Sequence, residues 1–458
     1  MTEITATFEA TFESLIENKK YAAIRDILNT LRAADIAAIL ENIDRQKLPL
    51  LFRLLPKELA AETFVEMESE EQEYLIQSFS DAELKEVVDE LYVDDAVDIV
   101  EEMPSNVVRR ILRQADPDMR KMINEILKYP EDSAGSIMTT EYVELRPTLT
   151  AEDAIKRIRR TGVDKETIYT CYVTDENRKL IGYVTLKDLL LAEDDVLVED
   201  IMGQDIVSVT TTDDQEIAAQ TLSKYDINAI PVVDTENRLV GIITVDDAID
   251  VIEEETTEDI EKMAAIVPTD KPYLKLTPFE IWKSRIPWLM LLMVSATFTG
   301  MIISSFEEAL AAQAALTAFI PMLMDTGGNS GSQASVTVIR SLSLGDIEFA
   351  DIFRVLWKEL RVAFLCAGTL AVLNFAKIQL IDVMLLGHST VTIAVTAVVC
   401  ITLAFTIVCA KMVGCSLPLL AKKLGFDPAV MASPFITTIV DALSLLIYFG
   451  VATSILKL

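Results

Sequence analysis

Apolar residues recur at three- and four-residue steps through the first 130 positions, as in Leu48, Leu51, Leu54 and Leu55, or Leu84, Val87, Val88 and Leu91. That period marks amphipathic helices. Pro49, Pro56, Pro104 and Pro117 punctuate the pattern, and Ser69, Ser80 and Asp116 precede apolar runs where N-caps belong. A stacked array of short helices is predicted for residues 1–130, without a strict repeat. Near Tyr129 the pattern changes to β-branched runs alternating with helices. Beyond Trp282 it changes again, to five long apolar runs at 286–306 and about 309–341, 362–386, 389–421 and 428–456. The first carries no charge over 21 residues, enough to cross a bilayer at about 1.5 Å per residue.

Charge divides the chain at the same place. The net charge is −32, yet 51% of the residues are hydrophobic. From Leu276 onward 11 acids balance 11 bases, so the first 275 residues hold 61 acids against 29 bases and the whole surplus. Such a surface repels phosphate backbones and excludes nucleic acid as a partner. One histidine, His388, excludes paired-imidazole metal sites and a Ser/His/Asp relay. The five cysteines show no C-x-x-C spacing, no P-loop run is present, and a polar N-terminus predicts no cleavable signal peptide. Lys283 and Arg285, then Arg340, Arg354, Lys358 and Arg361, then Lys422 and Lys423 all fall on one side of the spans. The acidic domains are therefore expected in the cytosol and the C-terminus outside.

An internal repeat occupies the middle. Ser136-Ile137-Met138 is matched by Asp200-Ile201-Met202, and a stretch through Glu176-Asn177-Arg178 to Gly182 by one through Glu236-Asn237-Arg238 to Gly241, about 60 residues on. Each copy reads as strand, helix, hairpin and closing helix. The "I-M" start and "G-x-x-T-x-x-D" end resemble the tandem CBS domain pair. That resemblance implies a compact α/β disc in which Asp188 and Asp247 can hold an adenosine ribose, as of ATP; the alternative is that both aspartates only cap the helices that follow them, the preferred reading for Asp188.

Two polar features interrupt the apolar runs. Pro321 to Gln333 (P-M-L-M-D-T-G-G-N-S-G-S-Q) places Asp325, Asn329 and Gln333 inside the second span, with three glycines that suit either close helix packing or a pore. Asp441 is the lone charge of the last span, at a cost of roughly 2.5–3.5 kcal/mol near the bilayer centre. It is either protonated or faces water and a cation, and the second reading is preferred.

Taken with the repeat and the F-D-P-A…S-P-F-I-T-T-I-V-D run, these motifs resemble the MgtE family of magnesium channels over essentially the whole chain. The resemblance implies a multidomain α-helical membrane protein that is a homodimer in the cell (inner) membrane: a cytosolic all-α helical-array domain (1–130), an α/β tandem CBS domain (131–196 and 197–254), a connecting plug helix and linker (255–282) and a five-helix transmembrane domain (283–458). It makes Asp441 the pore carboxylate, with Thr437 and Ser433 one and two turns before it and Asp427 at the pore entrance. It makes Asp94, Asp95, Asp98, Glu216, Asp226, Asp247, Asp250, Glu255, Glu258 and Asp259 regulatory Mg²⁺ sites. Mg²⁺ parts with its waters reluctantly, so a wide carboxylate ring suits a hydrated ion. The acidic surplus then reads as a repulsive spring that internal Mg²⁺ neutralises to close the pore. A carrier for Co²⁺ or Mn²⁺, a proton-coupled cation carrier titrating Asp441, and a membrane-anchored nucleotide or ion sensor are the rival expectations.

Overall fold

Helix starts follow the residues in front of them. The computed structural model describes residues 12, 14–269, 271, 273–387, 390–431 and 433–456. It divides into two units, residues 1–252 and 253–458. In the first, helices succeed one another as α1 (Tyr21–Leu28), α2 (Ala33–Glu41), α3 (Leu48–Phe52), α4 (Lys57–Val65), α5 (Ser69–Ser78), α6 (Asp81–Val88), α7 (Val93–Glu102), α8 (Ser105–Gln114) and α9 (Pro117–Ile126). Ser80 and Glu83 form a reciprocal capping box on α6, and Asp116 caps α9 ahead of Pro117. Ser69 is itself the first helical residue, and Glu68 precedes it. The apolar stripes meet in one core, where Phe52, Phe64 and Phe79 stack edge to tilted at 5.5–6.5 Å.

Two three-stranded sheets follow. β1 (Glu144–Leu145) pairs parallel with β2 (Thr170–Thr174), which pairs antiparallel with β3 (Leu180–Thr185); β4 (Val209–Thr210), β5 (Ala229–Val233) and β6 (Leu239–Thr244) repeat that order. α10 (Ala151–Thr161) and α13 (Gln215–Tyr225) lie between their first and second strands; α11 (Leu186–Leu191) and α12 (Val198–Ile201) come after β3, and the long α14 (Val245–Met263) after β6.

The hairpins correct the alignment of the two copies. Asp175 Oδ1 accepts the N–H groups of Asn177 and Lys179, and Asp234 Oδ1 those of Glu236 and Arg238, each at 2.8 Å. Arg178 and Asn237 take the left-handed conformation, with φ of 64° and 62°. The equivalent residues are thus 59 apart, and the shared Glu-Asn-Arg triplets stand one position out of register. The leading motifs, Met138 and Met202, are 64 apart. Five extra residues therefore sit in the first copy between α10 and β2, around the 3₁₀ turn Gly162–Asp164.

The same frame explains the Met and Gly of each motif. A Cβ on Gly182 would meet Met202 Sδ at 2.6 Å, and one on Gly241 would meet Met138 Sδ at 2.6 Å. Each copy's methionine thus packs on the other copy's glycine. Thr139 and Ile242 exchange backbone hydrogen bonds at 2.9 Å, as do Tyr183 and Gly203 at 2.9–3.0 Å. The two copies are interlocked.

In the second unit α15 (Pro278–Ser305), capped by Thr277 and Glu280, is followed by α16 (Glu307–Ala312), a 3₁₀ turn (Ala314–Phe319) and α17 (Ile320–Ser343). α18 (Ile352–Lys377) runs on as π-helical turns over Ile378–Leu385, then come α19 (Ile393–Lys423) and α20 (Ser433–Leu456). Among the described residues, four helical stretches are long and apolar enough to cross a membrane, those built on α15, α18, α19 and α20. α17 is long but falls short by composition because of its Asp325–Gln333 polar face. It also starts eleven residues later than the apolar run suggests, since residues 307–319 fold as separate short turns. His388 and Ser389 lie outside the described residues.

Candidate ion pathway and acidic cluster

Glycine decides how α17 packs. A Cβ on Gly414 of α19 would come within 2.2 Å of Gly331 O, one on Gly327 within 2.6 Å of Thr406 Cγ2, and one on Gly328 within 2.9 Å of Thr437 Cγ2. These glycines let α17 approach α19 and α20 closely, as small residues do between membrane helices. The approach brings Asp325 and Asn329 of α17 to Thr437 and Asp441 of α20 around a cavity of about 520 Å³, whose other walls include Pro321 and Gly328. Asp325, Asn329 and Gln333 recur every four residues on one exposed face of α17. Gln333 continues that stripe beyond the cavity. Thr437 Oγ1 donates to Pro434 O at 3.0 Å. The Ser433 side chain lies outside the described residues.

Asp427 stands in the turn between α19 and α20. Its Oδ1 accepts the Ala429 N–H at 2.7 Å and its Oδ2 pairs with Lys262 Nζ at 2.7 Å. Lys262 also holds Glu258 at 2.7 Å, and Asp259 accepts from Ser343 Oγ at 2.8 Å. Burial raises the Asp259 carboxyl despite that hydrogen bond.

The second assembly is acidic and lies within the first unit. Asp94, Asp95 and Asp98 project from the first turns of α7, while Asp246, Asp247 and Asp250 open α14. Asp94 is only 6% exposed, and its Oδ1 has no hydrogen-bond partner. Burial, then the nearby Asp247 carboxylate, raises Asp94 well above the usual range. The same causes lift Asp95 to about 7 and Asp98 to about 8. Asp247 rises to about 6, burial outweighing the Thr244 hydroxyl that donates to its Oδ2 at 2.5 Å.

Two further members were not legible in the chain. Glu166, lifted to about 8 by burial and by Asp247, comes from the five extra residues of the first copy, and its Oε2 is buried without a partner. Its N–H donates to Glu141 O at 2.9 Å, and Glu141 accepts the Val93 N–H of α7 at 3.1 Å. A sequence signal existed only for the five-residue offset. Among the described residues no three Asp, Glu, His or Cys groups converge on one metal-sized point. The acids form a crowded surface rather than a closed cage.

Other expected residues are dispersed. Glu216 opens α13 and Asp226 ends it in the left-handed conformation, φ 52°, about 15 Å apart along the axis. One ion does not span both. Asp250 and Glu255 lie along α14. Asp188 and Asp247 each cap the helix that follows, Asp188 in a capping box with Thr185. Beside Asp188, Tyr169, Lys187, Leu190, Leu191 and Asn228 line a cleft of about 660 Å³. Within α19, Lys411 is 5% exposed and pairs with Glu359 of α18 at 3.6 Å, so these two charges neutralise each other.

Comparison with known proteins decides what these parts belong to. The chain is 36% identical to the magnesium transporter MgtE of Thermus thermophilus over 95% of both chains. It is 32% identical to that of Bacillus subtilis over 96% of this chain and 95% of the other. The chain belongs to the MgtE family. Residues 320–451 match the family's divalent cation transporter domain, 31–132 the MgtE intracellular N domain, and 134–195 and 198–254 CBS domains. It is thus a membrane transporter, not an enzyme. A crystal structure of the cytosolic domain of the Mg²⁺ channel MgtE in complex with ATP superposes with a TM-score of 0.51 at 34% identity, covering 53% of this chain and 99% of that one.

Proposed function

We propose that this family member is a Mg²⁺-selective channel for magnesium uptake, closed from the cytosol when Mg²⁺ binds its acidic domains. The observation that carries the reading is that Asp325 and Asn329 meet Thr437 and Asp441 around one cavity. Polar groups exposed to lipid are costly, so the polar stripe of α17 needs water and a second copy of the chain to cover it. A homodimer doubles the Asp441 carboxylate and makes a ring wide enough for a hydrated ion. Asp427 marks the cytosolic mouth, beside the basic Lys422 and Lys423. A divalent ion moving down about 100 mV gains roughly 4.6 kcal/mol, so no coupling ion is required.

Regulation rests on the acidic cluster. Crowded carboxylates, of which Asp94 is buried and Asp95, Glu166 and Asp247 are half-buried, offer their oxygens to hydrated Mg²⁺, and neutralising them stabilises α7 beside the start of α14. α14 then carries the change to the pore domain. In reconstituted vesicles, voltage-driven Mg²⁺ uptake is expected to persist when the proton gradient is collapsed and to fall as cytosolic-side Mg²⁺ rises. Uptake that follows the proton gradient would establish the coupled carrier instead.

The Tyr169–Asn228 cleft supports nucleotide binding in the CBS pair. Tyr169 offers a ring for a base and Lys187 a charge for phosphate, next to Asp188. ATP is expected to bind the parent, and Lys187→Ala to weaken binding about three- to thirtyfold, on the scale of one charge-assisted contact. Titration calorimetry on the full chain checks this, and equal affinities would reject the cleft as the site.

A further inference from the structure

Lys262 lies near the end of α14 with its ammonium between two carboxylates, 2.7 Å from Asp427 Oδ2 and 2.7 Å from Glu258 Oε1. Its side chain is 23% exposed. Next to it Met263 packs against Ile339 and Ala429, and Asp259 accepts from Ser343. The end of α14 is thus fastened to both α17 and the turn before α20. Asp441 stands eight residues into α20, about 12 Å along the helix from its start.

Two carboxylates within reach of one point make a cation position, and here a side chain of the protein fills it. An ammonium is a compact, strongly hydrated charge. Because Lys262 is one turn from Glu258 on the same helix, it meets that position at an effective concentration of about millimolar or more. A divalent ion arriving at Asp427 must displace it. We propose that Lys262 is a built-in cation that latches the end of α14 onto the mouth of the pathway by competing with divalent ions for Asp427. The proposal rests on the reading of Asp427 as the mouth and of α14 as the closing element. It follows that closure needs no metal ion at this contact, and that the Mg²⁺ requirement is set mainly by the acids at the other end of the helix.

Flux through the full chain in vesicles, titrated with cytosolic-side Mg²⁺, tests the latch. Lys262→Gln is expected to raise the inhibitory midpoint about three- to tenfold, the range of a modest coupling between an ion pair and a conformational step. Lys262→Arg keeps the charge and should stay within about twofold of the parent. Amide hydrogen exchange over residues 255–263 without Mg²⁺ gives an independent reading: faster in Lys262→Gln, unchanged in Lys262→Arg. An unchanged or lowered midpoint in Lys262→Gln overturns the latch. If the parent itself shows no Mg²⁺ inhibition, the gating reading fails, and exchange alone decides: faster exchange supports the latch and equal exchange overturns it.

Discussion

Asp441→Ala is expected to abolish Mg²⁺ uptake into vesicles while leaving the protein folded. A carboxylate about 5 Å from a divalent ion contributes roughly 6–7 kcal/mol of attraction at an effective dielectric of about 20. Losing even about 1.4 kcal/mol of it costs a factor of ten. The side chain lines the cavity shared by α17 and α20 and has no basic partner among its neighbours there, so its removal leaves no buried charge stranded. Asp441→Asn keeps the shape and loses the charge, and it should fall with the alanine variant by about tenfold or more. Asp325→Asn, on the facing helix, should lower flux less, since that residue lies on the exposed side of α17. Flux is measured beside size-exclusion profiles and thermal midpoints. Wild-type uptake by a well-folded Asp441→Asn variant would remove this carboxylate from the pathway.

Much of the architecture was legible in the chain because it depends on local rules. Helix starts at Ser80 and Asp116 follow from capping; the apolar run at 286–306 lies in α15 up to its C-cap Phe306, and the run at 428–456 is the stretch built on α20. The repeat was legible from Met138, Met202, Gly182 and Gly241, but not the reason for it. Only the structure shows that each methionine packs on the other copy's glycine. The identical Glu-Asn-Arg triplets misled the alignment by one residue, because the turn is set by Asp175 and Asp234 and by the left-handed residue three positions later. α17 starts late for a related reason: hydropathy does not distinguish one long helix from a short helix, a 3₁₀ turn and a helix in series.

Charge partnerships were the least legible part. Asp441 announces itself by standing alone in an apolar run. Glu141 and Glu166 carry no local signal, since surface acids are common in this half of the chain and only tertiary packing selects these two. Lys262 carries no local signal either, yet it pairs with Glu258 and Asp427, two residues expected to meet metal. Long-range pairing is not encoded in any short window, so such roles emerge only when the elements are placed together.

Replacing Asp95, Asp98 and Asp247 together by Asn is expected to make flux insensitive to cytosolic-side Mg²⁺, the ratio of flux without Mg²⁺ to flux at saturating Mg²⁺ falling by about tenfold or more. The pH dependence follows from the same groups. Asp95, Asp98, Glu166 and Asp247 are raised to about 7, 8, 8 and 6 by burial and mutual repulsion. A carboxyl raised in the folded state holds a proton that the unfolded chain releases near pH 4. Its contribution to stability is therefore full below that pH and lost as pH rises through 6 to 8. Without Mg²⁺ the parent's thermal midpoint should fall across that window, and added Mg²⁺ should restore it, because the ion takes over from the protons. Inhibition should likewise need less Mg²⁺ at pH 6 than at pH 8, because protons already quench part of the same repulsion. The triple variant removes the repulsion, so its Mg²⁺-free midpoint should change less with pH and gain less from Mg²⁺. Asn still accepts the Thr244 hydroxyl at position 247, which keeps the start of α14 capped. A triple variant that closes at the parent's Mg²⁺ concentration, with the same pH slope, would show that these carboxylates are a solvated surface and that the ion is sensed elsewhere.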